Sequence, residues 1–351
     1  MDVEMDNMDP RVIRKGLLQR EEEGGVRCLT CGHRCLLHEN GVGICETRTN
    51  IDGSIKTLVY GNVSSINSNP IEKKPFFHFA PGTIALTIGS WGCNASCGFC
   101  QNFRISKQAP NPQNARYLSP DEFIRIAQNE ESHGTSISFS EAATLMLEWN
   151  IEVFKLAREA GLYNTIVTNG YMTQEALHLM FEAGLDAANV DIKGCEPQVR
   201  TVCGISLQPV LDNILHMIEL GIHVELTTLI VPELSDGMEC LEEIAVWILE
   251  NTGEKTPWHL NRYHPAYQYT KPPTPLNALL EARDMAKDKG LQFVYVGNVG
   301  RKGLEDTICP RCDKVCVERV AMTSQMQAVD KEGRCENCGY DLAIRFHNSH
   351  D

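Results

Sequence analysis

Ile84-Ala85-Leu86-Thr87-Ile88 is a short apolar run, and Gly92-Cys93-Asn94-Ala95-Ser96-Cys97-Gly98-Phe99-Cys100 follows it after three residues. The first stretch reads as a buried strand. The second sets three cysteines in the spacing C-x3-C-x2-C in the loop that leaves the strand. Ligating side chains at the end of a strand suit a parallel α/β sheet, whose sites gather at the C-terminal strand ends.

Outward from this stretch the pattern repeats. The expected strands are Ile84–Ile88, Thr135–Phe139, Tyr163–Val167, Ala187–Asp191, His223–Leu229, Trp258–Tyr263 and Phe293–Val296. Amphipathic helices are expected between them over Pro120–Gln128, Glu148–Ala160, Gln174–Ala183, Leu207–Leu220, Glu239–Leu249 and Leu276–Lys289. Strands alternating with helices imply βαβ units and an α/β fold, a partial or full (β/α) TIM-like barrel; a doubly wound open sheet is the alternative. Three segments follow: an N-terminal extension over 1–83, the barrel over 84–300 and a C-terminal module over 301–351. Residues 1–25 read as a short helix or a disordered lead-in, and Asp52-Gly53 as a hairpin turn.

Composition narrows the function. Apolar residues make up 42% of the chain and charged ones 22%, ordinary for a globular protein. No apolar run reaches the length of a membrane helix, and the acidic N-terminus lacks a signal-peptide pattern, so the cytoplasm is the expected location. A net charge of −14 argues against non-specific nucleic-acid binding. In a reducing compartment 15 cysteines point to metal or redox chemistry rather than disulfides.

Eleven cysteines fall into three sets, which suggests three metal sites. Three thiolates at Cys93, Cys97 and Cys100 fit three corners of a [4Fe–4S] cube with one iron left open; a three-cysteine zinc site is the alternative. Cys309-x2-Cys312 and Cys335-x2-Cys338, 22 residues apart, have zinc-ribbon spacing, with an auxiliary Fe–S cluster as the alternative. Cys28-x2-Cys31-x3-Cys35-x9-Cys45 suits zinc or a second Fe–S cluster equally, and His33 or His38 is able to replace one thiol.

The central motif resembles that of the radical S-adenosylmethionine (radical SAM) superfamily, with Phe99 at the aromatic position before the last cysteine. Asn69-Pro70-Ile71-Glu72-Lys73-Lys74-Pro75-Phe76-Phe77-His78-Phe79, Cys100-Gln101-Asn102, Thr168-Asn169-Gly170-Tyr171, Asp191-Ile192-Lys193, Glu225-Leu226-Thr227-Thr228-Leu229, Trp258-His259-Leu260-Asn261-Arg262-Tyr263 and Tyr295-Val296-Gly297-Asn298-Val299 extend the likeness over roughly 26–343. They resemble the AmmeMemoRadiSam-system radical SAM enzymes, relatives of pyruvate formate-lyase activating enzyme.

The resemblance implies that the open iron binds the amino and carboxylate groups of S-adenosylmethionine. Reductive cleavage then gives methionine and a 5′-deoxyadenosyl radical, which abstracts a hydrogen atom. Ser140 and Glu141 stand where the family has a Gly-Gly-Glu surface for the methionine amino group, with Phe139 and Ser140 replacing the glycines. By the same resemblance Phe99, Asn169, Asp191, Lys193 and His259 contact the cofactor, and Arg262 and His264 are weaker candidates for substrate contact. Val167 occupies a position where activating enzymes often carry a cation-binding aspartate. His78 is a candidate neighbour of the cluster loop, and Cys195 a candidate hydrogen-atom donor.

The expected function is modification of a C–H bond in a protein or peptide, in the manner of a glycyl-radical activase, with flavodoxin or ferredoxin as electron donor. An RNA or small-metabolite substrate, or a non-catalytic metal-binding or electron-transfer protein, is the alternative.

Overall fold

The computed structural model describes residues 7–347. Its centre is an eight-stranded sheet: β1 (Ser65–Pro70), β2 (Ile84–Gly89), β3 (Gly134–Phe139), β4 (Tyr163–Thr168), β5 (Ala187–Asp191), β6 (His223–Ile230), β7 (Trp258–Arg262) and β8 (Val294–Gly297). The strands lie side by side in chain order. β1 runs antiparallel to β2, and every later pair is parallel. The sheet thus begins at residue 65, within the segment read as the N-terminal extension.

Helices α1 (Pro120–Asn129), α2 (Leu147–Glu159), α3 (Gln174–Ala183), α4 (Gln208–Glu219), α5 (Met238–Asn251) and α6 (Leu276–Asp288) connect successive parallel strands. Right-handed crossovers in an order that never reverses put all six helices on one face. That is the winding of a barrel; a doubly wound sheet needs a reversal. Among the described residues β1 and β8 do not pair, so the barrel is open. Local chemistry sets the helix starts. Ser119 accepts from the Glu122 amide ahead of Pro120, and Thr173 accepts from that of Ala176. Gly184 ends α3 at φ +109°.

The segment Pro75–Phe79 crosses the N-terminal ends of the barrel strands and floors it. The Pro75 carbonyl accepts from Asn189 Nδ2 at 2.8 Å, and Phe79 packs on Tyr163 and His223. Glu225, fully buried in β6, fixes this floor. It accepts from the Phe77 and His78 amides at 2.9 and 2.8 Å, and lies 2.7 Å from His259 Nε2 and 3.2 Å from His223 Nε2. Burial pushes the carboxyl upward, but the hydrogen bonds of His223 and His259 prevail and hold it well below its ordinary 4.5.

Smaller modules flank the barrel. Residues 1–6 lie outside the described residues; the rest of the lead-in holds one short 3-10 helix, Pro10–Val12, followed by short strands. Strand Gln19–Glu22 pairs with Gly25–Cys28, because Gly24 at φ +86° allows a tight turn and Val26 and Cys28 are buried. Arg48–Ile51 and Ser54–Thr57 form the hairpin expected at Asp52-Gly53. Arg48 and Glu148 form a buried bidentate ion pair at 2.9 and 2.8 Å, which ties this region to α2. At the other end, strands Thr307–Ile308, Val315–Val320 and Thr323–Met326 make an antiparallel sheet. From it Arg319 donates to the Phe77 carbonyl at 2.6 Å, and farther along the module the Leu342 carbonyl lies 2.8 Å from His78 Nδ1.

One cysteine expectation is corrected. Cys195 and Cys240 are joined in a disulfide with Cα atoms 5.8 Å apart. Composition cannot reveal that the loop after β5 meets the start of α5. Cys195 so joined has no S–H, so it is not a hydrogen-atom donor.

Removing the Glu225 carboxylate strands two histidines and two amides. Glu225→Ala is expected to lose about 3–5 kcal/mol in urea denaturation. Because the folded-state value is depressed, the wild-type contribution is complete above pH ~4.5 and fades as pH falls through the lowered value. The variant should therefore show a shallower loss of stability on acidification.

Candidate active site

The cluster loop leaves β2 at the C-terminal end of the barrel. Gly92 adopts φ +76°, and a Cβ there would stand 2.6 Å from the Cys45 carbonyl. The loop then folds on itself: the Gly92 amide donates to Ile105, Ser96 to the Cys203 carbonyl, and Lys107 Nζ to the Ala95 carbonyl at 2.7 Å. Cys93, Cys97 and Cys100 all line one cavity of about 230 Å³. Their sulfurs are spread: among the described residues, only the C-terminal set of ligand atoms closes to within 4.8 Å. A single zinc holds thiolates about 3.8 Å apart, from Zn–S bonds of about 2.3 Å. A cube gives each thiolate its own iron and holds them farther apart. A donor set that does not close to that distance fits a cube.

Cys203 lies beside Cys97. Its hydrogen bond, with Lys193 and Lys107 nearby, lowers the Cys97 thiol and favours the thiolate. Burial pushes Cys93 upward. Lys193 and Asp191 alternate onto one side past the end of β5 and pair at 2.9 Å, both facing the cavity. Burial opposes the charge on Lys193, but Asp191 and the two thiols raise it well above its ordinary value.

Glu141 lines the cavity, yet its oxygens serve the fold. They accept from Thr144, Thr168 and the Asn169 amide, and burial raises the carboxyl. Asn169 in turn donates to Asn94 Oδ1 at 2.7 Å, so the end of β4 is pinned to the cluster loop. Ser140 takes φ +55°, the left-handed conformation a glycine would adopt there, and donates to the Ser90 carbonyl at 2.9 Å. The bulk of Phe139 is accommodated by Gly89 across the sheet, where a Cβ would meet Phe139 Cβ at 2.6 Å. The small residue has moved to the neighbouring strand. Phe99 is buried against Tyr269 and also borders the cavity.

A second cavity of about 290 Å³ lies deeper in the barrel and shares Gln101, Asn102, Asp191 and Thr227 with the first. His259 lines this one, at the floor beside Glu225, and not the thiol-lined cavity. Alternation on β7 turns His259 and Asn261 inward. Arg262 bonds the Thr274 carbonyl and exposed His264 faces that of Asn298, and neither lines either of these two cavities. His78 belongs to the floor: it contacts Leu342 and Tyr295, and burial lowers it to about 3. Lys107 and Cys203 escaped the sequence reading. Ser138, Asn261 and Asn298 lay in or beside the motifs that carry the resemblance but were given no role; alternation from His259 was the signal available for Asn261.

Cys309, Cys312, Cys335 and Cys338 bring their sulfurs within 4.8 Å of one another. Each pair sits in a turn closed by backbone bonds, Asp313 to Cys309 and Gly339 to Cys335. Cys28, Cys31, Cys35 and Cys45 line one small cavity with His33 and Arg48, without closing to that distance. His38 bonds the Gly24 carbonyl and does not line it.

An open parallel barrel that presents separated thiols and a lysine pair at its strand ends is built for metal-centred catalysis. Comparison with known proteins gives that class its family. The radical SAM superfamily model matches residues 88–248. The chain is 37% identical over 329 residues to the protein MJ0808 of Methanocaldococcus jannaschii, covering 93% of this chain and 97% of that one. It is 25% identical over 212 residues to the pyruvate formate-lyase-activating enzyme of Clostridium pasteurianum, covering 59% and 84%. The structure of Streptococcus suis SuiB bound to S-adenosylmethionine matches with a TM-score of 0.48 at 13% identity, over 65% of this chain and 53% of that one. The chain belongs to the radical SAM superfamily, whose members use a [4Fe–4S] cluster and S-adenosylmethionine. No helix among the described residues is long and apolar enough to cross a membrane.

The Gly89–Phe139 contact leaves no room for a methyl group. Gly89→Ala is expected to cost about 1–3 kcal/mol in chemical denaturation and to reduce iron retention.

Proposed function

We propose that Cys93, Cys97 and Cys100 hold the [4Fe–4S] cluster, that S-adenosylmethionine binds in the cavity they border, and that the substrate is a protein or peptide modified at a C–H bond. The observation that carries this reading is the pair of connected cavities, one walled by the three thiols and the other running on into the barrel. When bound and reduced, the cluster supplies the electron that splits S-adenosylmethionine into methionine and a 5′-deoxyadenosyl radical.

The chain's own residues bind and orient. Lys193 and Lys107 offer cations for a carboxylate, and Asp191 keeps Lys193 charged. Ser140 and Asn169 present polar groups at strand ends, while Glu141 acts by holding the Thr168–Asn169 strand end in place. Phe99 excludes water beside the cluster. The deeper cavity, with Asn261 and His259, receives the group to be modified. The peptide class draws support from similarity to an activating enzyme and from the acidic surface, which disfavours nucleic acid. A low-potential donor, flavodoxin or ferredoxin, supplies the electron. The C-terminal quartet has the sulfur spacing of a structural zinc site.

After anaerobic reconstitution and dithionite reduction, the wild type should convert S-adenosylmethionine to 5′-deoxyadenosine, read by chromatography. Cys93→Ala/Cys97→Ala/Cys100→Ala should make none; failure of the wild type to assemble any cluster would sink the reading. Lys193→Met should retain its iron and raise the S-adenosylmethionine concentration for half-maximal cleavage about tenfold or more, corresponding to about 1.4 kcal/mol.

A further inference from the structure

The geometry points to a second [4Fe–4S] cluster on Cys28, Cys31, Cys35 and Cys45, placed to pass electrons to the one at Cys93, Cys97 and Cys100. The relay half of this inference rests on the function proposed above; the site does not.

The chain contains its own standard of comparison. The C-terminal quartet closes to within 4.8 Å, as thiols around one ion must. The N-terminal quartet does not close, and in this it matches the central trio. Its four sulfur-bearing residues instead surround a void of about 10 Å³, walled also by Leu37, Leu145 and Arg48. Protein cores are close-packed, so a void that four cysteines border is a place the protein's own atoms do not fill. Zinc would draw the thiols inward and abolish it. A cube of iron and sulfide occupies such a centre.

Arg48 supplies an independent sign. It is 1% exposed, both its terminal nitrogens are engaged by Glu148 and Leu145, and its Nε has no partner. A buried N–H without an acceptor is costly. Cluster sulfide or thiolate at this site would accept it. His33, the rival ligand, is already engaged: its Nε2 lies 2.7 Å from the Asn94 carbonyl.

The same contacts set the two sites edge to edge. His33 touches the residue after Cys93, and the Cys45 carbonyl presses on Gly92, the residue before it. On the far side Ile44, 63% exposed, is the part of the cavity wall that faces solvent. In the relay one electron enters from a flavodoxin-type donor, reduces the outer cluster and leaves for the inner one. No atom moves and no bond forms.

Metal analysis of the reconstituted full chain tests the site. About eight irons and one zinc per chain are expected; about four irons and two zinc ions would overturn it. Cys93→Ser/Cys97→Ser/Cys100→Ser should keep about four irons and a reduced-cluster paramagnetic resonance signal, and a folded variant without iron would overturn the site as well. Wild type with both clusters but no 5′-deoxyadenosine would defeat the proposed function and leave the site standing. For the relay, Cys28→Ser/Cys31→Ser/Cys35→Ser/Cys45→Ser should cleave S-adenosylmethionine with dithionite and lose at least tenfold with flavodoxin. Equal loss with both reductants would overturn the relay. Arg48→Lys, which keeps a cation opposite Glu148, guards against misfolding of that variant. It should shift the resonance of the outer cluster alone, and an unshifted signal would remove Arg48 from the site.

Discussion

The buried carboxylate of Glu225 does the work that strand pairing does in a closed barrel. Among the described residues β1 and β8 do not pair, so the barrel has a seam. Glu225 receives two amides from the floor segment and two histidines from β6 and β7, which binds the floor to the strands above it. The floor in turn receives Arg319 and the Leu342 carbonyl from the C-terminal module. An ion buried this deeply is tolerated only because so many donors converge on it. With the base sealed, the strand C-terminal ends are free to form the site.

At that upper end the organising material is mostly backbone. Asn94 donates to the Tyr171 carbonyl and accepts from Asn169, so the cluster loop and the β4 turn share one amide network. Glu141 belongs to the same network through the Asn169 amide. Polar groups that a sequence reading assigns to a ligand are here engaged in holding the walls. The charged groups left facing the cavity are the lysines and Asp191.

Much of this was legible in advance. β5 and α3 occupy their expected bounds, and the other expected strands and helices agree to within one or two residues, because β-branched runs and 3.6-residue periodicity both favour the outcome; β1 had no expected counterpart. That Cys93, Cys97 and Cys100 face one cavity with the Asp191–Lys193 pair was legible because strand ends and alternation place them there. What escaped depended on depth and on distant contacts. His259 lies on the inward face as alternation requires, but nothing in a strand pattern says how far up the barrel a side chain sits. Lys107 reaches the site only because the cluster loop folds back, and Cys195 finds Cys240 across a sequence separation of 45. The lead-in's hairpin escaped because it is rich in charge and buries only Val26 and Cys28 of its two strands.

The floor also bears on how the chain acquires its shape. Phe77 is made long before the Arg319 that covers it, 242 residues later, and His78 waits 264 residues for Leu342. Synthesis delivers the N-terminal parts first. On the ribosome the barrel strands therefore emerge before the cysteine-rich module that seals their base. The four thiols of that module come together only once it has emerged, so the base is secured after the strands whose upper ends form the site.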